Sequence, residues 1–138
     1  MRRIRTYPAL ALFALTPLLL IPVAACGGQE HGSQGFQITR LREGSGAQPT
    51  ATSRVKVHYV GRLQDGTVFD SSVARGAPAV FPLSGVIPCW TEAIQQMKVG
   101  GKATIVCPPE IAYGARGYPP RIPPNATLTF QVELLGIE

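Results

Sequence analysis

Residues 54–72, RVKVHYVGRLQDGTVFDSS, contain the pattern on which the fold prediction depends. From 55 to 59, apolar residues alternate with polar ones, and this period of two is typical of a strand with one buried face. Residues 64–67 place Asp-Gly at the centre of a tight turn, which is a strong signal for a hairpin. Residues 68–71 then form the return strand. The stretch therefore predicts two antiparallel strands joined by a short turn.

The same alternation recurs over 127–134, where apolar residues occupy every second position. Weaker strand patterns lie at 36–41 and 103–107. Strands of this kind form an antiparallel sheet with one apolar face and one solvated face. The apolar face needs a second layer of structure to cover it.

One segment has a convincing helical pattern and supplies that layer. Its apolar residues fall at positions i, i+3, i+4 and i+7 and form a single stripe: Trp90, Ala93, Ile94 and Met97. The glycine pair at 100–101 ends the segment. The sequence thus predicts an α+β fold, with a curved antiparallel β-sheet of five to six strands wrapped around one short α-helix.

The first 26 residues have the pattern of an export signal. Three arginines within residues 2–5 precede an apolar run at 9–20, which is short for a transmembrane anchor of about 20 residues. Val-Ala-Ala-Cys at 23–26 resembles the lipobox of bacterial lipoproteins. Cleavage before Cys26 would leave that residue to carry the lipid, palmitate included. Ordinary secretion is the weaker alternative, because a plain cleavage site does not require the cysteine.

These features predict three segments along the chain. A lipoprotein signal peptide spans 1–25, the lipidated Cys26 and a flexible Gly-rich tether span 26–35, and the folded domain spans 36–138. The predicted location is the bacterial cell envelope, anchored to the membrane by lipid. Gly27 follows the cysteine, and the absence of Asp there favours the outer membrane or periplasmic face over the inner membrane.

The charge does not indicate a nucleic-acid partner. The formal net charge is +5, but three of the positive charges lie in the first five residues. From Cys26 onward, ten Lys and Arg against eight Asp and Glu leave only +2. No basic stripe is present, so binding to nucleic acid is not predicted.

The motifs of several enzyme classes are missing from the sequence. His31 and His58 have no Ser or Cys partner in a nucleophile motif, no phosphate loop follows a strand, and no Cys-x-x-Cys pair occurs. No metal or cofactor is predicted. The remaining candidates are aromatic residues near the ends of elements, which form either the core or an apolar ligand pocket: Tyr59, Phe69, Trp90, Tyr113 and Phe130.

Several motifs in series resemble one family. In chain order they are VHYVG at 57–61, DGTVFDSS at 65–72, VIPCW at 86–90, AYG at 112–114 and IPPNATLTFQVELL at 122–135. Together they are similar to the signature of the FKBP immunophilins. The match covers essentially all of 36–138, and it implies the FKBP fold and peptidyl-prolyl cis–trans isomerase activity.

The resemblance also implies roles for individual residues. It implies a catalytic pocket with Trp90 as its floor, and with Tyr59, Phe69, Asp70, Tyr113 and Phe130 around it. Substrate contacts are implied for Val86, Ile87, Arg75, Ile122 and Tyr118, with the backbone N–H of Ile87 donating to the substrate carbonyl. Tyr113 would offer its hydroxyl, and Asp70 would be a buried polar group paired near Arg75.

Three departures from the human-type members bear on specificity. Ala79 stands where those members have a bulky aromatic residue, the segment between Leu83 and Val86 is two residues shorter, and Tyr118 replaces a frequent His. We expect these changes to alter substrate preference and the affinity for macrolides of the tacrolimus and rapamycin type. Activity itself should be less affected.

The two cysteines beyond Cys26 lie in elements that should pack together. Cys107 is in phase with Ala103 and Ile105 on the predicted buried face, and Cys89 begins the helix that covers this face. An exported compartment permits a disulfide. A bond between Cys89 and Cys107 is therefore favoured over two free buried thiols.

The functional hypothesis is an isomerase that assists folding of exported proteins by stabilising the twisted X–Pro amide in an apolar pocket. The alternative is an FKBP-like module that binds proline-containing segments as a chaperone with little turnover. Larger relatives have a helical dimerisation segment before this domain, whereas only the short tether precedes it here, so a monomer is predicted. The expected partners are proline-containing polypeptides and, through the lipid, the membrane.

Overall fold

A computed structural model describes residues 30–31 and 35–138. The alternation around residue 57 forms strand β3 (Arg54–Arg62), whose buried positions are Val55, Val57, Tyr59 and Gly61. Among the described residues, β3 and six further strands form one antiparallel sheet. The others are β1 (Glu30–His31), β2 (Gln37–Arg42), β4 (Val68–Ser71), β5 (Ala79–Pro82), β6 (Lys102–Cys107) and β7 (Leu128–Ile137).

The strand order is β1-β2-β6-β7-β3-β4, and β5 pairs with the other half of β3. β3 and β7 form the centre, with Tyr59 opposite Val132 and Gly61 opposite Phe130. The predicted hairpin is present, because β3 and β4 pair on either side of the turn at Asp65-Gly66. The predicted fold class is confirmed.

The helix predicted to cover the sheet is α2 (Pro88–Ile94), with Pro88 in its first turn. Trp90, Ala93 and Ile94 are buried, as their helical spacing predicts, and Met97 is buried just beyond the end of the helix. α2 packs on the inner face of the sheet, where Ile105, Leu128, Val132 and Leu134 have no exposed area. Burying each such side chain stabilises the fold by about 1.5–3 kcal/mol, so this layer contributes much of the stability.

Besides β1 and two 3-10 turns, two elements were not predicted from the sequence. The one-turn helix α1 (Ser72–Arg75) follows β4 directly, capped by the Ser71 hydroxyl, which accepts from Ala74 N at 3.1 Å. Gly76, with φ of 75°, ends it. β5 has four half-buried residues without alternation, so its sequence has no period of two to detect. Two short 3-10 turns complete the fold, at Leu83–Gly85 and Pro109–Ile111.

β1 falls within the stretch predicted as a tether. Glu30 and His31 pair with Ile38 and Gln37 of β2, so part of that stretch extends the sheet beyond the predicted boundary at Phe36. The predicted signal peptide and Cys26 lie outside the described residues. Within the described residues, no helix has the length and apolar character needed to cross a membrane.

Candidate active site

A cavity of about 460 Å³ opens between the sheet, α2 and the loop before β7. This volume lies in the range of small-ligand sites. The lining consists mainly of aromatic and aliphatic side chains with one carboxylate: Tyr59, Phe69, Asp70, Phe81, Gly85, Val86, Ile87, Trp90, Tyr113 and Phe130. All six predicted catalytic residues are in this set, together with Val86 and Ile87.

Trp90 forms the floor of the cavity, with only 5% of its surface exposed. Three rings meet it edge to face, at centroid distances of 5.2 Å for Tyr59, 5.6 Å for Phe81 and 5.2 Å for Phe130. Such T-shaped pairs are each worth about 0.5–1.5 kcal/mol beyond the area they bury. The indole is therefore held from three sides. Its Nε1 is buried without a hydrogen-bond partner among the described residues.

Phe81 is a wall residue that was not predicted from the sequence. It contacts both Tyr59 and Trp90 and lines the cavity. Ala79 itself is half-buried and does not line the cavity. The two residues lie at i and i+2 on β5, so recognising that strand would have placed Phe81 on the same face as the expected aromatic.

A polar network lies at one wall. The Tyr59 hydroxyl donates to Asp70 Oδ2 at 2.5 Å, and Arg75 donates to Asp70 Oδ1 and, at 3.1 Å, to the Tyr59 oxygen. The Arg75 guanidinium also lies 5.8 Å from the centroid of the Tyr59 ring. Arg75 does not line the cavity. It acts on the site by holding Tyr59 and Asp70.

This network shifts the ionisation of both partners. Partial burial opposes charge on Asp70, but hydrogen bonds from Tyr59 and Arg75 and the positive charge of Arg75 outweigh it, so the pKa of Asp70 lies below its usual value. Burial, followed by the hydrogen bond to Asp70, raises the pKa of Tyr59. Asp70 is thus a carboxylate and Tyr59 a neutral donor at neutral pH.

The rim of the cavity comes from two irregular segments. Gly85 ends the 3-10 turn, Val86 and Ile87 follow it, and Ile87 is the N-terminal capping residue of α2. Helix geometry leaves the Ile87 N–H without an intrahelical acceptor. On the other side, Tyr113 lines the cavity, and burial followed by the nearby Tyr118 and Asp70 raises its pKa.

Tyr118 and Ile122 do not line the cavity. Their backbones bond reciprocally, with N···O distances of 2.8 and 2.9 Å, and this turn directs the two side chains differently. Tyr118 is 61% exposed, and its ring centroid is 5.7 Å from that of Tyr113. Ile122 is only 3% exposed and belongs to the core. Ile122 thus packs in the core beneath the loop, and its contact with substrate stays a prediction.

Cys89 and Cys107 lie below Trp90, where α2 meets β6. Their Cα atoms are 5.8 Å apart and the structure joins their sulfurs, both fully buried. This is the spacing expected of a disulfide. The pair therefore links the start of the helix that carries Trp90 to the sheet. Among residues 30–31 and 35–138, no group of three or more His, Cys, Asp or Glu is placed to hold a metal ion.

Comparisons with known proteins agree with this geometry. Residues 45–135 match the family described as FKBP-type peptidyl-prolyl cis-trans isomerase. An FKBP-type 22 kDa peptidyl-prolyl cis-trans isomerase of Escherichia coli is 54% identical over 110 residues, which are 80% of this chain and 53% of that protein. FkpA of Aeromonas hydrophila, also an FKBP-type isomerase by name, is 53% identical over 111 residues, 80% of this chain and 41% of that protein.

A solved structure shows the same fold. The crystal structure of a peptidyl-prolyl cis-trans isomerase from Pseudomonas syringae superposes with a TM-score of 0.76 at 41% identity, covering 80% of this chain and 81% of that one. The two curated relatives are longer, and the chain spans about half the length of each.

Proposed function

The chain belongs to the FKBP-type peptidyl-prolyl cis–trans isomerase family, and from this premise we propose that it accelerates isomerisation of X–Pro bonds in exported polypeptides. The observation that carries the proposal is the aromatic cavity, which combines the Trp90 floor with an ionised Asp70 at its wall. The cavity has room for a prolyl ring and the preceding amide. The predicted export signal supports exported proteins as the substrate class.

The barrier that the site must lower is rotational. An X–Pro amide loses its resonance when it twists, which costs about 20 kcal/mol, and no covalent bond to the protein is needed. The twisted amide is less polar than either planar isomer, so a desolvated apolar cavity favours it. A rate gain of about a million-fold requires binding the twisted form about 8 kcal/mol more tightly than the planar forms.

Several polar groups around the cavity contribute to the tighter binding of the twisted amide. The Ile87 N–H and the Tyr113 hydroxyl are placed at the rim, where they can donate to the carbonyls of the substrate. Tyr59 and Arg75 hold Asp70 as a carboxylate, and Asp70 in turn fixes the Tyr59 ring. We expect the Asp70 carboxylate to face the carbonyl of the bound substrate. Because no proton is transferred in amide rotation, Asp70 acts through its charge and position rather than as a base.

The location and assembly of the protein form part of the proposal. We infer attachment to the cell envelope through lipid on Cys26, facing the periplasm, and a monomeric state. Macrolides of the tacrolimus type are proposed ligands of the same cavity, with Phe81 as one of its aromatic walls. Mass spectrometry of the purified chain tests the anchor, because diacyl or triacyl mass on an N-terminal Cys26 is the expected result.

The deciding experiment measures isomerisation of a set of X–Pro peptides with the full chain in detergent and with residues 27–138. We expect turnover in both, inhibition by tacrolimus, and a loss of about 100-fold or more in Phe69→Ala or Asp70→Ala variants that remain folded. Peptide binding without turnover would favour the chaperone alternative. Full activity in the folded Phe69→Ala/Asp70→Ala double variant would refute the assignment of the site.

A further inference from the structure

Two neighbouring residues of β4 face the same cavity. Successive side chains of a regular strand point to opposite faces of the sheet. Phe69 and Asp70 are consecutive, yet both line the cavity. Some local irregularity must therefore turn one of them.

The pairing of β3 with β4 contains that irregularity. Gly61 is opposite Asp70, but the next residue of β3, Arg62, is opposite Val68. Phe69 is left without a partner, which makes it the extra residue of a β-bulge. Bulges are common beside active sites because they redirect a side chain.

The space that the redirected ring occupies lies directly over Gly61. A Cβ atom on Gly61 would be 2.5 Å from Phe69 Cζ and 2.9 and 3.0 Å from its Cε2 and Cε1 atoms. The described glycines with a positive φ do not include Gly61, so its backbone would accept other residues. The Phe69 ring, rather than the backbone conformation, is what excludes a side chain at this position.

The position of the ring matters to the rest of the cavity. Gly61 is opposite Phe130 in β7, and the Phe69 ring meets the Phe130 ring edge to face at 5.6 Å. Phe130 in turn contacts the Trp90 floor at 5.2 Å. Displacing Phe69 from Gly61 would therefore move one wall relative to the floor.

We propose that Gly61 is a positioning residue of the isomerase site: together with the bulge at Phe69, its missing side chain lets the Phe69 ring and Asp70 face the same cavity. The inference rests on the proposed function for its effect on activity. The placement of the Phe69 ring over Gly61 depends only on the contacts between these two residues. Gly136 offers a matched comparison, because it also lies in a strand beside a register shift, but a Cβ atom added to it would have no neighbouring atom within 4 Å.

The test compares Gly61→Ala with Gly136→Ala in the full chain. We expect Gly61→Ala to lower kcat/KM for X–Pro peptides by about 10- to 100-fold, since a wall displaced by an ångström is costly to positioning. Gly136→Ala should leave it unchanged. Equal activities in the wild type and the Gly61→Ala variant would overturn the inference.

A double-mutant cycle separates positioning from general damage. We expect Phe69→Leu alone to lower kcat/KM. Adding Gly61→Ala to Phe69→Leu should lower kcat/KM by less than about threefold more, because leucine lacks the end of the ring that contacts Gly61. The same loss in both backgrounds would overturn the inference. Should Gly61→Ala fail to fold, folding of Gly61→Ala/Phe69→Leu supports the clash, and unfolding of both contradicts it.

A readout independent of turnover distinguishes this inference from the proposed function. Nuclear Overhauser contacts between the Phe69 and Phe130 rings should be lost in Gly61→Ala and kept in Gly136→Ala. If the wild type were inactive on every peptide, the proposed function would fail, and the ring contacts would still decide the placement of Phe69. Unchanged contacts in Gly61→Ala would refute that placement.

Discussion

The floor and the rim of the cavity are built in different ways. The floor comes from regular elements, and its residues Tyr59, Trp90 and Phe130 are no more than 5% exposed. The rim comes from turns and a long loop. Tyr113 on the rim is 37% exposed, and Tyr118, which contacts Tyr113 from outside the cavity, is 61% exposed. Changes in the floor should therefore affect stability and activity together. Changes in the rim should affect catalysis and the choice of substrate more than stability.

The largest effect is expected at the centre of the floor. Trp90→Ala removes an indole held by three rings and should lower the free energy of unfolding by about 3–5 kcal/mol, with loss of isomerisation. Urea unfolding followed by far-ultraviolet circular dichroism measures it. Trp90→Phe is the matched control, which keeps an aromatic ring and should recover part of both quantities. An unchanged free energy of unfolding in Trp90→Ala would mean that the floor of the cavity does not contribute to the stability of the core.

The cysteine pair beneath the floor should give the next largest effect. The pair closes a loop with a sequence separation of 18 residues. For a loop of that order, a disulfide contributes about 3 kcal/mol by restricting the unfolded chain. Dithiothreitol should therefore lower the free energy of unfolding of the wild type, but not of Cys89→Ala/Cys107→Ala. Equal wild-type stability with and without reductant would indicate two free buried thiols.

The polar wall between floor and rim should make stability depend on pH. The folded-state pKa of Asp70 is depressed, so its contribution is complete above the unfolded value of about 3.9 and is lost as pH falls through the lower folded value. The stability difference between wild type and Asp70→Asn should be constant from pH 7 to about 4.5 and shrink below it. Chemical denaturation at each pH measures this. A difference that shrinks above about pH 5 would contradict the depressed pKa.

The smallest effect is expected at Tyr118, which lies beside the rim and outside the cavity. Tyr118→Ala removes an exposed ring and should change the free energy of unfolding by no more than about 0.5 kcal/mol. It should change the relative kcat/KM among X–Pro peptides by about threefold, since the lost contact is solvated. Tyr118→His, the residue common in human-type members, is the informative second variant. A large uniform loss over all peptides would make Tyr118 part of the catalytic site.

Periodicity and motif order predicted most of the fold. The hairpin at Asp65-Gly66, strands β3 and β7 and the helix around Trp90 all carried strong local signals. β5 and α1 were missed, because each is only four residues long and too short to show a period. The bounds of β5 follow from its pairing with β3, which is a contact between two segments. Those of α1 follow from the Ser71 cap, a single local hydrogen bond that no repeating pattern reveals.

The candidate site was predicted as a set of residues but not as an arrangement. Motif resemblance named all six residues assigned to the pocket, yet Phe81 lay in the missed strand. Ile122 is buried in the core and Arg75 contacts Asp70 and Tyr59, and the substrate contacts of both stay predictions. The direction in which a side chain of a loop points depends on backbone pairing such as that of Tyr118 with Ile122. No local sequence pattern reveals that pairing.

By itself, the sequence determined the fold class, the family signature and the residue types around the cavity, because alternation, turn chemistry and motif spacing are local properties of the chain. Only the tertiary structure decided that Phe69 and Asp70 share one face, that Phe81 lines the cavity, and that Gly61 must lack a side chain. The physical reason is that a one-residue shift in strand register reverses which side chain faces the cavity. That register is set by packing between strands, not by the residues of either strand alone.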